Sequence, residues 1–214
     1  MSKVILGEDK KEFRFKKLLI AKDCFNIVNQ DVKEALQPAV EYIGNELESI
    51  EEVEVSLEGL DSWVETFRII QGYEVWESYG GWVRKYKPNL SQGPKERLEW
   101  TSTITMQEYK LALIEMKKII KRIEELIPED AVLCLPTAAS VAPLKSAPLE
   151  EINATRLQSS ALLCISALSG TPQVTLPMIK QYNVPLGITL IGAKGTDLAL
   201  AKFSADLVEG YLEK

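Results

Sequence analysis

Residues 169–192, SGTPQVTLPMIKQYNVPLGITLIG, constrain this chain more than any other stretch. Two β-rich runs, Gln173–Leu176 and Leu186–Ile191, are flanked by Pro172, Pro177 and Pro185 within a stretch bounded by Gly170 and Gly192. Gly170 permits a positive φ, and Pro172 fixes the entry to the first strand. Gly187 and Gly192 mark places where another backbone or side chain approaches a central strand closely. Gly195-Thr196-Asp197 then reads as a cap and the start of a closing helix, 196–212. Such an ending needs partners upstream to complete a sheet.

Those partners are legible. Phe15–Ala21 leans toward strand. Gln30–Leu47 is an amphipathic helix with Val32, Leu36, Val40, Ile43 and Leu47 at spacings of three and four, capped by Asp31. Pro38 within it should kink the helix or mark its true start. Glu52–Leu57 alternates Val53, Val55 and Leu57 with acids, the pattern of a half-buried strand. Residues 61–86 have a helical period, but Gly72 and Gly80-Gly81 suggest two helices. They carry Trp63, Phe67, Tyr73, Trp76, Tyr79, Trp82 and Tyr86, which serve as a core stripe, a pocket wall or a partner surface. Residues 87–96 read as a loop. Thr105–Ile127 is the clearest helix, opened by a Thr105/Glu108 capping box and stopped by Pro128. Ala131–Leu135 is a short buried strand, 138–151 a long loop, and Thr155–Leu168 an apolar helix. Strand, helix, strand, then long helices, then strands and a helix predict an α/β fold, a mixed β-sheet covered by helices in one unit spanning 1–214.

Composition narrows the chemistry. The 214 residues are 46% hydrophobic and 26% charged, enough for a sizeable core. A net charge of −6 argues against nucleic acid as a partner. Cys24, Cys134 and Cys164 are widely spaced in apolar contexts and read as buried thiols in a reducing compartment. The chain holds no histidine, which removes Ser-His-Asp and Cys-His catalysis and most zinc sites. No cofactor or metal is called for. The N-terminal MSKVILGEDKKEF lacks the long apolar run of a signal peptide, and no apolar stretch reaches membrane-span length. The expected location is the cytoplasm or an organelle stroma.

No constellation of catalytic residues emerges. Ser159-Ser160 lies in LQSSALLC, on an apolar helix without glycine, where a nucleophile has neither a strained turn nor oxyanion donors. Lys16, Lys17, Lys22, Lys110, Lys117, Lys118, Lys121, Lys180 and Lys194 sit in polar or amphipathic contexts, none beside a Ser/Gly run. The start of the last helix could hold an anion, though a plain cap accounts for it. Asn89 and Asn153 fit the glycosylation pattern but carry no meaning without a secretory route.

Three blocks resemble the C-terminal half of the amidase signature family of serine hydrolases: Lys17–Asp23, Ala131–Thr137, and Ser169–Pro177 with Pro185–Gly192. The surroundings are most similar to the branch of plant indole-3-acetamide hydrolases and a related chloroplast import receptor whose amidase domain is inactive. The likeness runs from about Phe13 onward. It implies that Pro136, Thr137 and the loop after them line a substrate pocket, with Ser169, Gly170, Thr171 and Pro172 in the core near it. The family's catalytic lysine, two serines and Gly-rich loop belong to its other half and are absent here, so no catalytic residue is assigned. The resemblance therefore implies either an amidase-like protein that binds a partner or small amide ligand without turnover, or a half that hydrolyses small amides once an N-terminal half completes it. A sheet edge left open would need a second copy or a complementing half to cover it.

Overall fold

The computed structural model describes residues 14–212; the N-terminal segment read above for a signal peptide lies outside the described residues. The apolar run Ala131–Pro136 forms strand β3, with all six residues buried. A strand covered on both faces carries continuous rather than alternating hydrophobicity, which this run shows. Strand β1 (Lys17–Ala21) lies parallel on one side of β3, and β5 (Val184–Gly192) antiparallel on the other. Strand β2 (Ser49–Val53) extends the sheet beyond β1 in parallel, and β4 (Gln173–Gln181) pairs antiparallel with β5. The result is one mixed sheet in the order β2-β1-β3-β5-β4.

Among the described residues the helices are α1 (Lys22–Asn26), α2 (Gln30–Asn45), α3 (Leu60–Tyr86), α4 (Gln92–Thr101), α5 (Met106–Leu126), α6 (Leu149–Ser169) and α7 (Asp197–Leu212). Strand register assigns them to faces. Leu18, Val132 and Gly192 form one row across β1, β3 and β5. Helix α2 reaches that face, since a Cβ at Gly44 would stand 3.7 Å from Leu18; α7 reaches it through Leu200, beside Gly192. Tyr42 and Tyr211 meet edge to face at 5.1 Å and tie α2 to α7. The opposite row, Leu19, Leu133 and Ile191, is also buried and falls to α3, α5 and α6, which pack on one another.

Several elements depart from the sequence reading. Helix α2 begins at Gln30 after Asn29, so Asp31 is not the cap; it sits in the first turn, where a carboxylate oxygen accepts from the Val32 N–H at 2.9 Å. Pro38 lies inside this helix and does not mark its start. Strand β2 starts at Ser49, three residues before the alternating run. Val55 enters the core from the following loop instead, because the Asp23 carboxylate accepts from the Val55 and Ser56 N–H groups at 3.1 and 2.9 Å. Arg122 of α5 donates to the Val55 carbonyl at 3.2 Å and to that of Glu54. Helix α3 runs unbroken through its glycines, as Gly72 and Gly80 make room for Trp100 and Trp76. Residues 92–96, read as loop, open α4; Pro94 falls in its first turn, where the missing N–H has no helical partner to lose. Helix α6 starts at Leu149, six residues early. The Thr105 capping box is formed on both sides.

The two C-terminal runs form a single long hairpin. Tyr182 and Asn183 both adopt positive φ, 51° and 61°, the conformation a two-residue turn with matching twist requires. Pro177 sits in the outer strand, at a register shift between Leu176 and Ile179.

Candidate functional site

The six residues singled out from the sequence fall in two groups, one beside the middle of β5 and one at the open end of the hairpin. Pro136 ends β3 opposite Ile188, whereas the Gly192 N–H donates to the Pro172 carbonyl at 3.1 Å, level with Val132. The four residues between those rows put about 13 Å between them. Ser169, Gly170, Thr171 and Pro172 form the C-terminal turn of α6. Gly170 has φ 68°, and Ser169 Oγ donates to the Ile165 carbonyl at 2.7 Å and lies 2.8 Å from Thr171 Oγ1.

Thr137 keeps different company. Its N–H donates to the Gly187 carbonyl at 3.1 Å, and its hydroxyl lies 2.7 Å from that of Thr189. The Thr189 hydroxyl is 3.5 Å from that of Thr175, which faces solvent. A Cβ at Gly187 would fall 2.9 Å from both Thr137 Oγ1 and Thr175 Cγ2, so glycine lets the three threonines converge. Thr175 and Thr189 were missed from sequence, because the signal lies in cross-strand register rather than spacing. The hydroxyl chain offers hydrogen bonds to a ligand at the β4 edge but holds no base that could activate a nucleophile.

The loop after Thr137 leads elsewhere. The Ala139 N–H donates to Ser159 Oγ at 3.4 Å, and Pro143 with the first turns of α6 forms one wall of a cleft of 1180 Å³ between α3, α4 and α6. Tyr79, Trp82, Trp100 and Leu163 give it apolar walls, and Arg68, Arg97 and Arg156 stand among its lining residues. Pro136, Thr137 and the Ser169–Pro172 turn do not line it. The aromatic stripe of α3 thus divides: Trp63 is core, while Tyr79, Trp82 and Tyr86 are exposed.

The serine pair is chemically quiet. Ser160 Oγ donates to the Arg156 carbonyl one helical turn back, at 2.8 Å. Such back-bonding satisfies a hydroxyl within a helix and leaves it without an activating base. None of the lysines named above is buried. Cys134 and Cys164 are pushed up to about 12 by burial, and burial with the nearby Asp23 carboxylate raises Cys24 as well. Thiols so raised are protonated and unreactive at neutral pH. No group of three or more His, Cys, Asp or Glu among the described residues could hold a metal ion, and no helix among them is long and apolar enough to cross a membrane.

A crystal structure of an amidase superposes on 99% of this chain with a TM-score of 0.79 at 20% identity, covering 49% of that amidase. A bacterial aryl acylamidase of the amidase signature family superposes on 92% with a TM-score of 0.71 at 14% identity, covering 45% of the acylamidase. This is half of an amidase signature fold. In sequence, the chain is 24% identical over 209 residues to Amidase 1 of Arabidopsis thaliana, matching 84% of this chain and 49% of that protein. It therefore spans about half the length of the curated relatives it matches first. No family model matches it. In this chain the half fold carries the five-stranded sheet, the threonine chain at its β4 edge and the aromatic cleft.

Proposed function

We propose that these residues form the non-catalytic half of an amidase-like protein, a half that binds a partner or a small ligand and does not turn over amides by itself. The observation that carries this reading is the pairing of an amidase fold with quiet serines: Ser160 is bonded back into its own helix, and Ser159 faces the Ala139 N–H. Amide hydrolysis needs a nucleophile, a base beside it and donors for the oxyanion. The partner expected is a second copy or a complementing amidase half seated on β4, where Thr175 and Pro177 are exposed on the outermost strand.

A second reading is favoured by length, since the chain covers about half of its amidase relatives. In it, an N-terminal half carrying the Lys-Ser-Ser set joins this one and hydrolyses small amides. One experiment separates the two. The chain is treated with a serine-reactive fluorophosphonate and assayed on primary amides, alone and with the N-terminal half of a matching amidase. No labelling and no turnover alone is expected under both readings. Turnover restored by a stable complex selects the second; a stable complex without turnover selects the first. A serine of this chain that labels and turns over amide overturns both.

A further inference from the structure

The cleft between α3, α4 and α6 has a charge character unlike that of the chain. The protein carries 31 acidic and 25 basic residues, yet the cleft is lined by three arginines and no aspartate or glutamate. Arg97 and Arg156 make no ion pair among the described residues, and Arg68 has only a 3.9 Å contact with exposed Glu65. Arg68 is also set over the Trp100 ring at 4.9 Å, which orients its guanidinium at the cleft wall. Besides the arginines the lining includes Tyr79, Trp100, Trp82 and Leu163, the last two 48% and 45% exposed.

Each part dictates a part of the ligand. Exposed aromatic and aliphatic walls favour an apolar body, because covering them removes hydrocarbon from water. Guanidinium groups present paired N–H donors that match the two oxygens of a carboxylate. The arginines are solvent-exposed, so pairing with an anion carries little of the desolvation cost of a buried charge. The cleft volume of 1180 Å³ admits a ligand of many carbon atoms rather than a small acid such as acetate.

We propose that this cleft binds amphipathic carboxylates, a long alkyl body lying on the α3–α6 walls with its carboxylate held by Arg97 and Arg156. The threonine chain at the β4 edge does not line this cleft.

The test uses a matched pair, decanoate and decanamide, which share the alkyl body and differ in charge. Binding to the 214-residue chain is followed by titration calorimetry and by tryptophan fluorescence, to which Trp82 and Trp100 of the cleft contribute. Decanoate is expected to bind about tenfold tighter than decanamide at low salt, with the gap narrowing as salt is raised. Arg97→Gln with Arg156→Gln should abolish that preference while leaving decanamide affinity unchanged. Arg84→Gln, on α3 but outside the cleft, should retain it. These substitutions fall on exposed side chains, and thermal melts confirm that each variant is folded. Equal affinity for the two probes, absence of saturable binding by either, or an equal loss of preference in Arg84→Gln overturns the proposal.

Discussion

The two sides of the sheet are built to different standards. On the α2–α7 side, Gly192 leaves no room for a methyl group beside the Thr196 hydroxyl, and the row Leu18, Val132, Gly192 is sealed. On the other side the inner row is equally dry, but the outer surface of α3 keeps Tyr79 and Trp82 in solvent at an open cleft shared with α4 and α6. The difference separates residues that hold the fold from residues that the fold holds out. An exposed aromatic contributes little to stability where it stands, so a cluster of them on one face is where the proposed ligand would be covered.

The largest effect expected is on the buried face of α3. Trp63 starts the same aromatic stripe as Trp82 but is 5% exposed. Trp63→Ala should cost about 3–5 kcal/mol, from lost burial plus the cavity left behind. Urea titration monitored by circular dichroism measures it. A cost below about 1 kcal/mol would mean that the layer under α3 is as loose as its outer surface.

On the opposite side, Gly192→Ala tests the tight contact. The new Cβ would collide with Thr196 Oγ1, which donates to the Ala193 carbonyl at 2.7 Å and so cannot swing away without losing that bond. A loss of about 1–3 kcal/mol is expected by overpacking. Gly81→Ala, where a Cβ meets nothing within 4 Å, should instead be neutral or stabilising. Equal effects at the two positions would erase the distinction between the faces.

How much of this was legible depends on whether a residue's role is local. The two closing strands were visible because Pro172, Gly187 and Gly192 punctuate them, but their union in one long hairpin was not. The turn falls on Tyr182-Asn183, which lacks the Asn-Gly or Asp-Gly signature, so nothing in the sequence joined the two runs. The parallel β1–β2 pair was anticipated only as strand–helix–strand. Its register slipped because Val55, placed in the core by Asp23 and Arg122, mimicked strand alternation from a loop. Helix α4 was hidden by Gly93 and Pro94, ordinary loop residues that are tolerated in a first turn. The threonine chain and the arginine-lined cleft assemble residues from three elements each, so no spacing within one segment could have announced them.

The cysteines sharpen the contrast through pH. Cys134 and Cys164 titrate in the folded protein near 12, above the unfolded thiol value of about 8.5, and Cys24 is raised too. A pKa raised by folding means that the neutral form is the one the core accepts. That stability is complete below the unfolded pKa and is lost as pH climbs from about 8.5 toward 12. Urea midpoints should therefore fall progressively across that window, and iodoacetamide should leave all three thiols unmodified at neutral pH until the chain unfolds. Rapid alkylation of the native protein would show that the sealed layer opens to water.

The smallest expected effect is the most diagnostic for the cleft. Trp82 is 48% exposed, lines the cleft and meets Tyr86 at a centroid distance of 6.4 Å. Trp82→Ala removes a large ring from a surface already wet, so stability should change by no more than about 0.5 kcal/mol. Set beside Trp63→Ala on the same helix, this outcome would show that α3 stabilises the protein with its buried face and spends its exposed aromatics on contacts with something else. A loss of several kcal/mol would place Trp82 among the residues that hold the fold and would close the cleft as a docking surface. Decanoate binding by the same variant then reads the other half of the division: the ring that stability does not need is the one the apolar body of a ligand would cover.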